Sequence, residues 1–223
     1  MTTRRVVDEV RAELEELAVP GRADKEKAYL KSWRTFLGVP VPACRKVARA
    51  WTDEQPADRT ELWPILHEAW SRDVHELCAW TLFVLEMRTD LDAEDLDDLE
   101  RLLRQCDTWA LLDVMAANII GPLAREHDAD RIDRWLHDES FWVRRAGILA
   151  DLGRLRRGEG DLDAWAASVD HLWEEKEFFI RKALGWVLRE TSKQDAQAVA
   201  ALVDRVGHRM SGLTRREALK YVD

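Results

Sequence analysis

Glycine and proline are scarce in this 223-residue chain, ten and six residues respectively, too few for the many tight turns of an all-β fold. No run approaches the roughly 18 consecutive apolar residues of a membrane-spanning helix. The opening stretch Met1-Thr2-Thr3-Arg4-Arg5-Val6-Val7-Asp8 meets charge too early for a secretory leader. A cytoplasmic location with no membrane partner is therefore expected. Cysteine is sparse too: Cys44, Cys78 and Cys106 are odd in number and widely spaced, which fits buried, reduced thiols better than a disulfide framework. The His-Glu pairs at 67/68 and 75/76 lack the second histidine of a zinc-protease motif, so no metal site is expected.

Apolar and charged residues are plentiful instead, at 46% and 35%. That balance gives a substantial core inside helices with well-solvated outer faces. The formal net charge of −9 disfavours nucleic acid at first sight, because phosphate attracts positive charge. Its distribution qualifies that reading: residues 140–223 hold 15 Lys and Arg against 13 Asp and Glu, and residues 1–139 hold 19 against 30. The acid excess is regional, concentrated in stretches such as Asp92-Ala93-Glu94-Asp95-Leu96-Asp97-Asp98, which read as solvated helix starts.

Apolar residues recur at spacings of three and four almost throughout, and strand-length alternation is hard to find, so the fold class is all-α. Val6, Val7, Val10, Leu14 and Leu17 mark a first helix. Tyr29, Leu30 and Trp33 place a second that stops near Phe36-Leu37-Gly38, and Pro42 opens a third that runs to about Trp51. From residue 58 the helices pair: 58–71 with 74–88, 92–105 with 108–126, 130–137 with 140–156, 161–174 with 177–191, and 195–207 with 214–222. Pro64 and Gly121-Pro122 should kink or end helices locally. Arg144-Arg145-Ala146-Gly147-Ile148, Arg181-Lys182-Ala183-Leu184-Gly185 and Arg216-Glu217-Ala218-Leu219-Lys220 repeat weakly, 37 and 35 positions apart. Such hairpins bury their apolar faces only by stacking. The expected architecture is a HEAT-like helical-repeat solenoid with a concave binding face. It is read as one domain over 1–223, with N-terminal helices in 1–52 and helix pairs in 58–223.

Asp113 is the most informative position, because Trp109-Ala110-Leu111-Leu112-Asp113-Val114-Met115-Ala116 is otherwise apolar and a buried unpaired carboxylate is costly. Pairing with an arginine of the next repeat would satisfy it structurally, and a functional acid is the alternative. Trp109, four residues earlier, shares its helix face, although core packing alone also accounts for a tryptophan there. Lys182, Trp186 and Arg189 fall on one face at spacings of four and three, a mixture suited to phosphate and sugar or base contact, or to a core tryptophan flanked by snorkelling cations. Arg154-Leu155-Arg156-Arg157 at a helix end suits either solvent or a phosphate backbone.

These residues occur in blocks whose order resembles the AlkD-type DNA alkylation repair family, bacterial glycosylases built from HEAT-like repeats. Tyr29 followed by Phe36-Leu37-Gly38-Val39-Pro40-Val41-Pro42 and Arg45 is similar to its first block. Trp109 and Asp113 match its catalytic helix, and Arg145 before Ala146 its active-site arginine. Lys176 to Glu190 is similar to its most recognisable signature, and Leu213 to Lys220 to its last helix. Ala110 and Leu112 depart from the Asp and Val found there in typical members.

The resemblance implies hydrolytic release of cationic N-alkylpurines such as 3-methyladenine and 7-methylguanine from double-stranded DNA, without a cofactor and without extruding the base. It implies a monomer with no obligate protein partner. Asp113 would oppose the charge of an oxocarbenium-like sugar and position water, Trp109 and Trp186 would face the deoxyribose, and Tyr29 would close the site. Arg145 would hold a phosphate and keep Asp113 ionised by depressing its pKa. Arg144, Lys182, Arg189, Arg154 and Arg156 would follow the DNA backbone. A non-catalytic repeat scaffold for DNA or protein is the alternative.

Overall fold

The computed structural model describes residues 2–54 and 58–222. Part of the break expected between residues 52 and 58 lies outside the described residues, as do both terminal residues of the span read as one domain. Among the described residues no helix is long and apolar enough to cross a membrane, and no strand is present beyond one isolated bridge, Thr35 to Val74. The chain forms two compact units, one built from the residues up to Asp90 with Cys106–Leu111, the other from Leu91–Gln105 and Leu112 onward.

The first unit contains α1 (Thr3–Glu16), α2 (Arg22–Leu30), α3 (Val41–Glu54), α4 (Arg59–Ser71) and α5 (His75–Glu86). Helix α1 buries Val6, Val7, Val10 and Leu14, the stripe its three-and-four spacing dictates. Helix α5 is buried nearly all round and packs against α1, α3 and α4, so it forms the centre of this unit. Pro64 lies inside α4, which runs on through it.

The second helix ends earlier than its spacing predicts. Lys31 adopts a left-handed conformation with φ 54, and Trp33 stands outside any helix, 60% exposed. The cause is the next residue. Arg34 is 1% exposed and pairs with Asp107 at 3.2 Å and Asp73 at 3.1 Å, while Ser32 donates to the second oxygen of Asp107. Drawing that guanidinium inward requires extended chain, and Thr35 accordingly exchanges backbone hydrogen bonds with Asp73 and His75. The following loop is gathered by Glu76, a buried carboxylate that accepts from the backbone N–H groups of Leu37, Gly38 and Val39. Gly38 has φ +84, and a Cβ there would lie 2.8 Å from the Ala23 nitrogen, so this turn admits only glycine without strain.

The second unit contains α6 (Leu96–Arg104), the end of α7 (Trp109–Val114), a π-helical stretch Met115–Ile120, α8 (Gly121–His127), α9 (Ala129–Leu136), α10 (Phe141–Leu149), α11 (Leu152–Arg156), α12 (Leu162–Ser168), α13 (Phe178–Ser192), α14 (Ala196–Val206) and α15 (Gly212–Ala218). Carboxylate or hydroxyl caps start several of them: Asp161 for α12, Asp195 for α14 and Ser211 for α15, each satisfying an otherwise orphaned N–H. The HEAT-like pairing expected from the sequence is present, with α9 against α10 and α14 against α13. Helix α13 is the longest, buries Ile180, Ala183, Leu184, Val187 and Leu188, and contacts α10, α11, α14 and α15.

Gly121-Pro122 does not end its helix. Helical geometry passes through it, with the π-helical stretch immediately upstream and Pro122 in the first turn of α8. Proline has no N–H for the fourth carbonyl back, and widening the preceding turns is one way a helix absorbs that loss. A Cβ on Gly121 would meet the Ala116 oxygen at 2.2 Å and the Ala150 Cα at 2.7 Å. Glycine is thus what lets the chain carrying Asp113 lie against the end of α10.

Candidate active site

Asp113 sits one residue from the end of α7, immediately before the π-helical stretch. Its carboxylate receives Arg145 of α10 in a two-point grip, Nε to Oδ1 and Nη2 to Oδ2, both at 2.7 Å. The remaining terminal nitrogen, Nη1, donates to the main-chain oxygen of Phe179 at 2.6 Å. One buried arginine therefore ties together α7, α10 and the first turn of α13. The planar fork of a guanidinium matches a carboxylate in this way and a lysine does not.

The structural reading of Asp113 left open by the sequence is realised. The acid does pair with an arginine of the next repeat, and it also lines a cleft. That cleft, about 200 Å³, is bordered by Asp113, Val114, Ala117, Asn118, Leu152, Gly153, Arg156 and Trp186. Arg145 is not among its walls. The side chain of Asp113 is 13% exposed and that of Arg145 6%, so the ion pair is a dipole whose negative end faces the cleft. Each carboxylate oxygen keeps a lone pair beyond the one given to arginine.

Burial pushes the Asp113 carboxyl above its ordinary value, opposed by the hydrogen bonds and charge of Arg145. This corrects the expectation of a depressed pKa: desolvation of the anion outweighs the pairing. The phosphate contact expected of Arg145 is left little surface, because each guanidinium nitrogen already donates within the protein and the residue is 5% exposed. Arg145 holds the Asp113 carboxylate in place.

The other residues singled out from the sequence are spread over several places. Trp186 shares the cleft with Asp113, as does Arg156, which pairs with Glu190 at 3.3 Å. Tyr29 and Trp109 meet in the first unit, ring centroids 6.1 Å apart and edge to face, with Tyr29 73% exposed. Lys182 and Arg189 converge on Glu217 of α15, and Arg154 lies near Asp151 and the Glu159 carbonyl. Arg144, expected to follow a DNA backbone, donates to the carbonyls of Asp138 and Glu139 and pairs with Glu175. Arg181 repeats the device one pair later, donating to the Glu175 carbonyl six residues upstream as Arg144 does to Asp138. In two of the three repeated blocks, at Arg144 and Arg181, the repeated arginine thus closes the loop before the second helix of the pair.

An all-helical repeat protein that presents one oriented, largely buried carboxylate to a cleft bordered by a tryptophan is the class defined by this geometry. The profile of the family described as DNA alkylation repair enzyme matches residues 10–222, and the chain belongs to that family. No curated protein matches it by sequence. Among solved structures it is similar to a predicted DNA alkylation repair enzyme from Enterococcus faecalis, with 23% identity, TM-score 0.77, 92% of this chain and 96% of that one covered. It is also similar to AlkD2 from Streptococcus mutans, with 17% identity, TM-score 0.65 and both chains covered in full. Likenesses at these identities establish the fold.

Proposed function

We propose that the protein is a DNA glycosylase that releases positively charged N-alkylated purines from duplex DNA by hydrolysing the N-glycosidic bond. The observation that carries this reading is the Asp113 carboxylate, held from behind by Arg145 and turned toward the cleft of Trp186. A cationic purine is a good leaving group, and breaking its bond leaves an oxocarbenium-like sugar. A fixed anion in a partly dehydrated site stabilises that charge without reorganising at the moment of reaction. The free lone pairs of Asp113 also suit a water molecule approaching the sugar. The ring of Trp186 offers an electron-rich face to the same developing charge.

Trp109 precedes Asp113 by one helical turn, and the Tyr29 and Trp109 rings meet edge to face. Both are assigned to the sugar and backbone beside the lesion. Arg154, Arg156, Lys182 and Arg189 are assigned to phosphates. The cleft is small, about 200 Å³, which favours chemistry on a base that stays at the duplex over full extrusion into a pocket.

Incubation with N-methylated duplex DNA tests the reading, and free 3-methyladenine and 7-methylguanine are the expected products. Binding with no base release would instead identify a repeat scaffold. Excision should also depend on pH with a definite sign. Asp113 acts ionised and its carboxyl is raised by burial, so the rate should fall as pH drops through a value above the ordinary aspartate pKa of about 3.9. A pH-rate profile with no acid limb above that value would remove Asp113 from the chemistry.

A further inference from the structure

The basic face of α13 is masked. Lys182 and Arg189 are seven residues apart, two turns on one side of the helix, and both donate to one carboxylate. Glu217 of α15 accepts from Lys182 Nζ at 3.0 Å and, through its other oxygen, from Arg189. All three remain partly open to solvent, with side chains 41%, 25% and 20% exposed for Lys182, Arg189 and Glu217.

The main chain fixes this arrangement independently of the charges. A Cβ on Gly185 would lie 2.7 Å from the Glu217 Cβ and 3.1 Å from the Thr214 oxygen, so the two helices approach closely only because position 185 is glycine. Ser211 caps α15, and the Thr214 hydroxyl donates to the Arg181 carbonyl. Glu217 is therefore delivered onto the two cations by backbone packing. The same cations hold its carboxyl below the usual carboxylate range.

We propose that Glu217 is a displaceable internal surrogate for a DNA phosphate, which occupies Lys182 and Arg189 until duplex is bound and so holds down affinity for undamaged DNA. The inference rests on the DNA-binding reading above. An ion pair partly open to solvent is weakly held. A phosphate offers the same two-point acceptor geometry and brings the release of its counterions. Once displaced, Glu217 stays beside the duplex and opposes binding, so every sequence pays the same penalty. Only a site offering further contacts, such as a distorted or cationic lesion, overcomes it.

The experiment compares the full chain with Glu217→Gln in binding to an undamaged 20-base-pair duplex across a salt series. Glutamine keeps the shape and loses the charge. The variant should bind about tenfold tighter at low salt, with a salt slope steeper by roughly 0.9, the value of one neutralised phosphate. Adding Lys182→Gln and Arg189→Gln to it should erase the gain. Asp170→Asn, which removes an equal charge from an exposed pair with Arg209, should leave both quantities near wild type.

Equal affinity and slope for wild type and Glu217→Gln would overturn the proposal, and so would an equal gain from Asp170→Asn, which would reduce it to net charge. Glu217→Asp, which draws the carboxylate back by one methylene, serves as the second variant and should give a smaller gain in the same direction. Base release by the wild type is scored separately. Release without a Glu217 effect sinks this proposal alone, and a Glu217 effect without release sinks the glycosylase reading alone.

Discussion

Asp113→Asn is expected to lower release of methylated purines by about two to three orders of magnitude, the usual loss when a preorganised electrostatic partner of the transition state is removed. Asparagine fits the same space and its carbonyl oxygen still accepts from Arg145, so the fold and the cleft should persist. Affinity for duplex should be unchanged or higher, since an anion near phosphates has gone. Single-turnover excision on a duplex carrying one 7-methylguanine, beside a binding titration, separates the two effects. Full activity in this variant would show that the carboxylate does not serve the reaction.

Arg145→Met carries the largest stability effect. Asp113 would be left buried without its partner and the Phe179 carbonyl would lose a donor. Breaking one side of a buried pair typically costs about 3–5 kcal/mol, which in a chain of this length corresponds to roughly 10 °C in Tm. Excision should fall with it, because an unpaired Asp113 takes up a proton and its carboxyl rises further. The double variant Arg145→Met, Asp113→Leu should recover much of the Tm and none of the activity. A thermal melt and an excision assay on all three proteins complete the cycle. A single Arg145→Met variant that melts with the wild type would show that the pair contributes nothing to the fold.

The linkage for Asp113 follows from the direction of its shift. The folded chain holds this proton more tightly than the unfolded chain, so the group favours the folded state below its unfolded pKa. That contribution is lost as pH rises through the folded value. Asp113 thus makes the protein slightly less stable under the conditions where it is chemically competent, a pattern expected of a residue kept for function.

The helix pairs from residue 58 onward were legible because most bury an apolar stripe and several begin at a polar cap, as at Asp161 before α12 and Asp195 before α14. Both signals are local. The end of α2 was not legible, since Leu30 and Trp33 continue the helical spacing. What stops the helix is Arg34, drawn inward by Asp107, seventy-three positions away. Passage of the helix through Gly121-Pro122 was hidden for a similar reason: the π-helical stretch before it is visible only in the backbone.

At the candidate site, the sequence exposed Asp113 as an anomaly among apolar neighbours and offered an arginine of the next repeat as a partner. It could not show the balance of burial against pairing, nor that Nε and both terminal nitrogens of Arg145 donate within the protein. Glu76 went unread as well. It stood beside His75 as half of an incomplete metal motif, while its task, holding three backbone N–H groups, involves no side chain that spacing could reveal.

The third hydrogen bond of Arg145 ends on the main-chain oxygen of Phe179 rather than on a side chain. Substituting position 179 leaves that acceptor in place, so a side-chain scan of α13 would pass over one leg of the tripod that steadies Asp113. Only shifting the register at which α13 begins, by inserting or deleting a residue between Trp173 and Phe178, would move it. Tolerance to substitution at Phe179 and intolerance to length changes just upstream would be two signs of the same anchor.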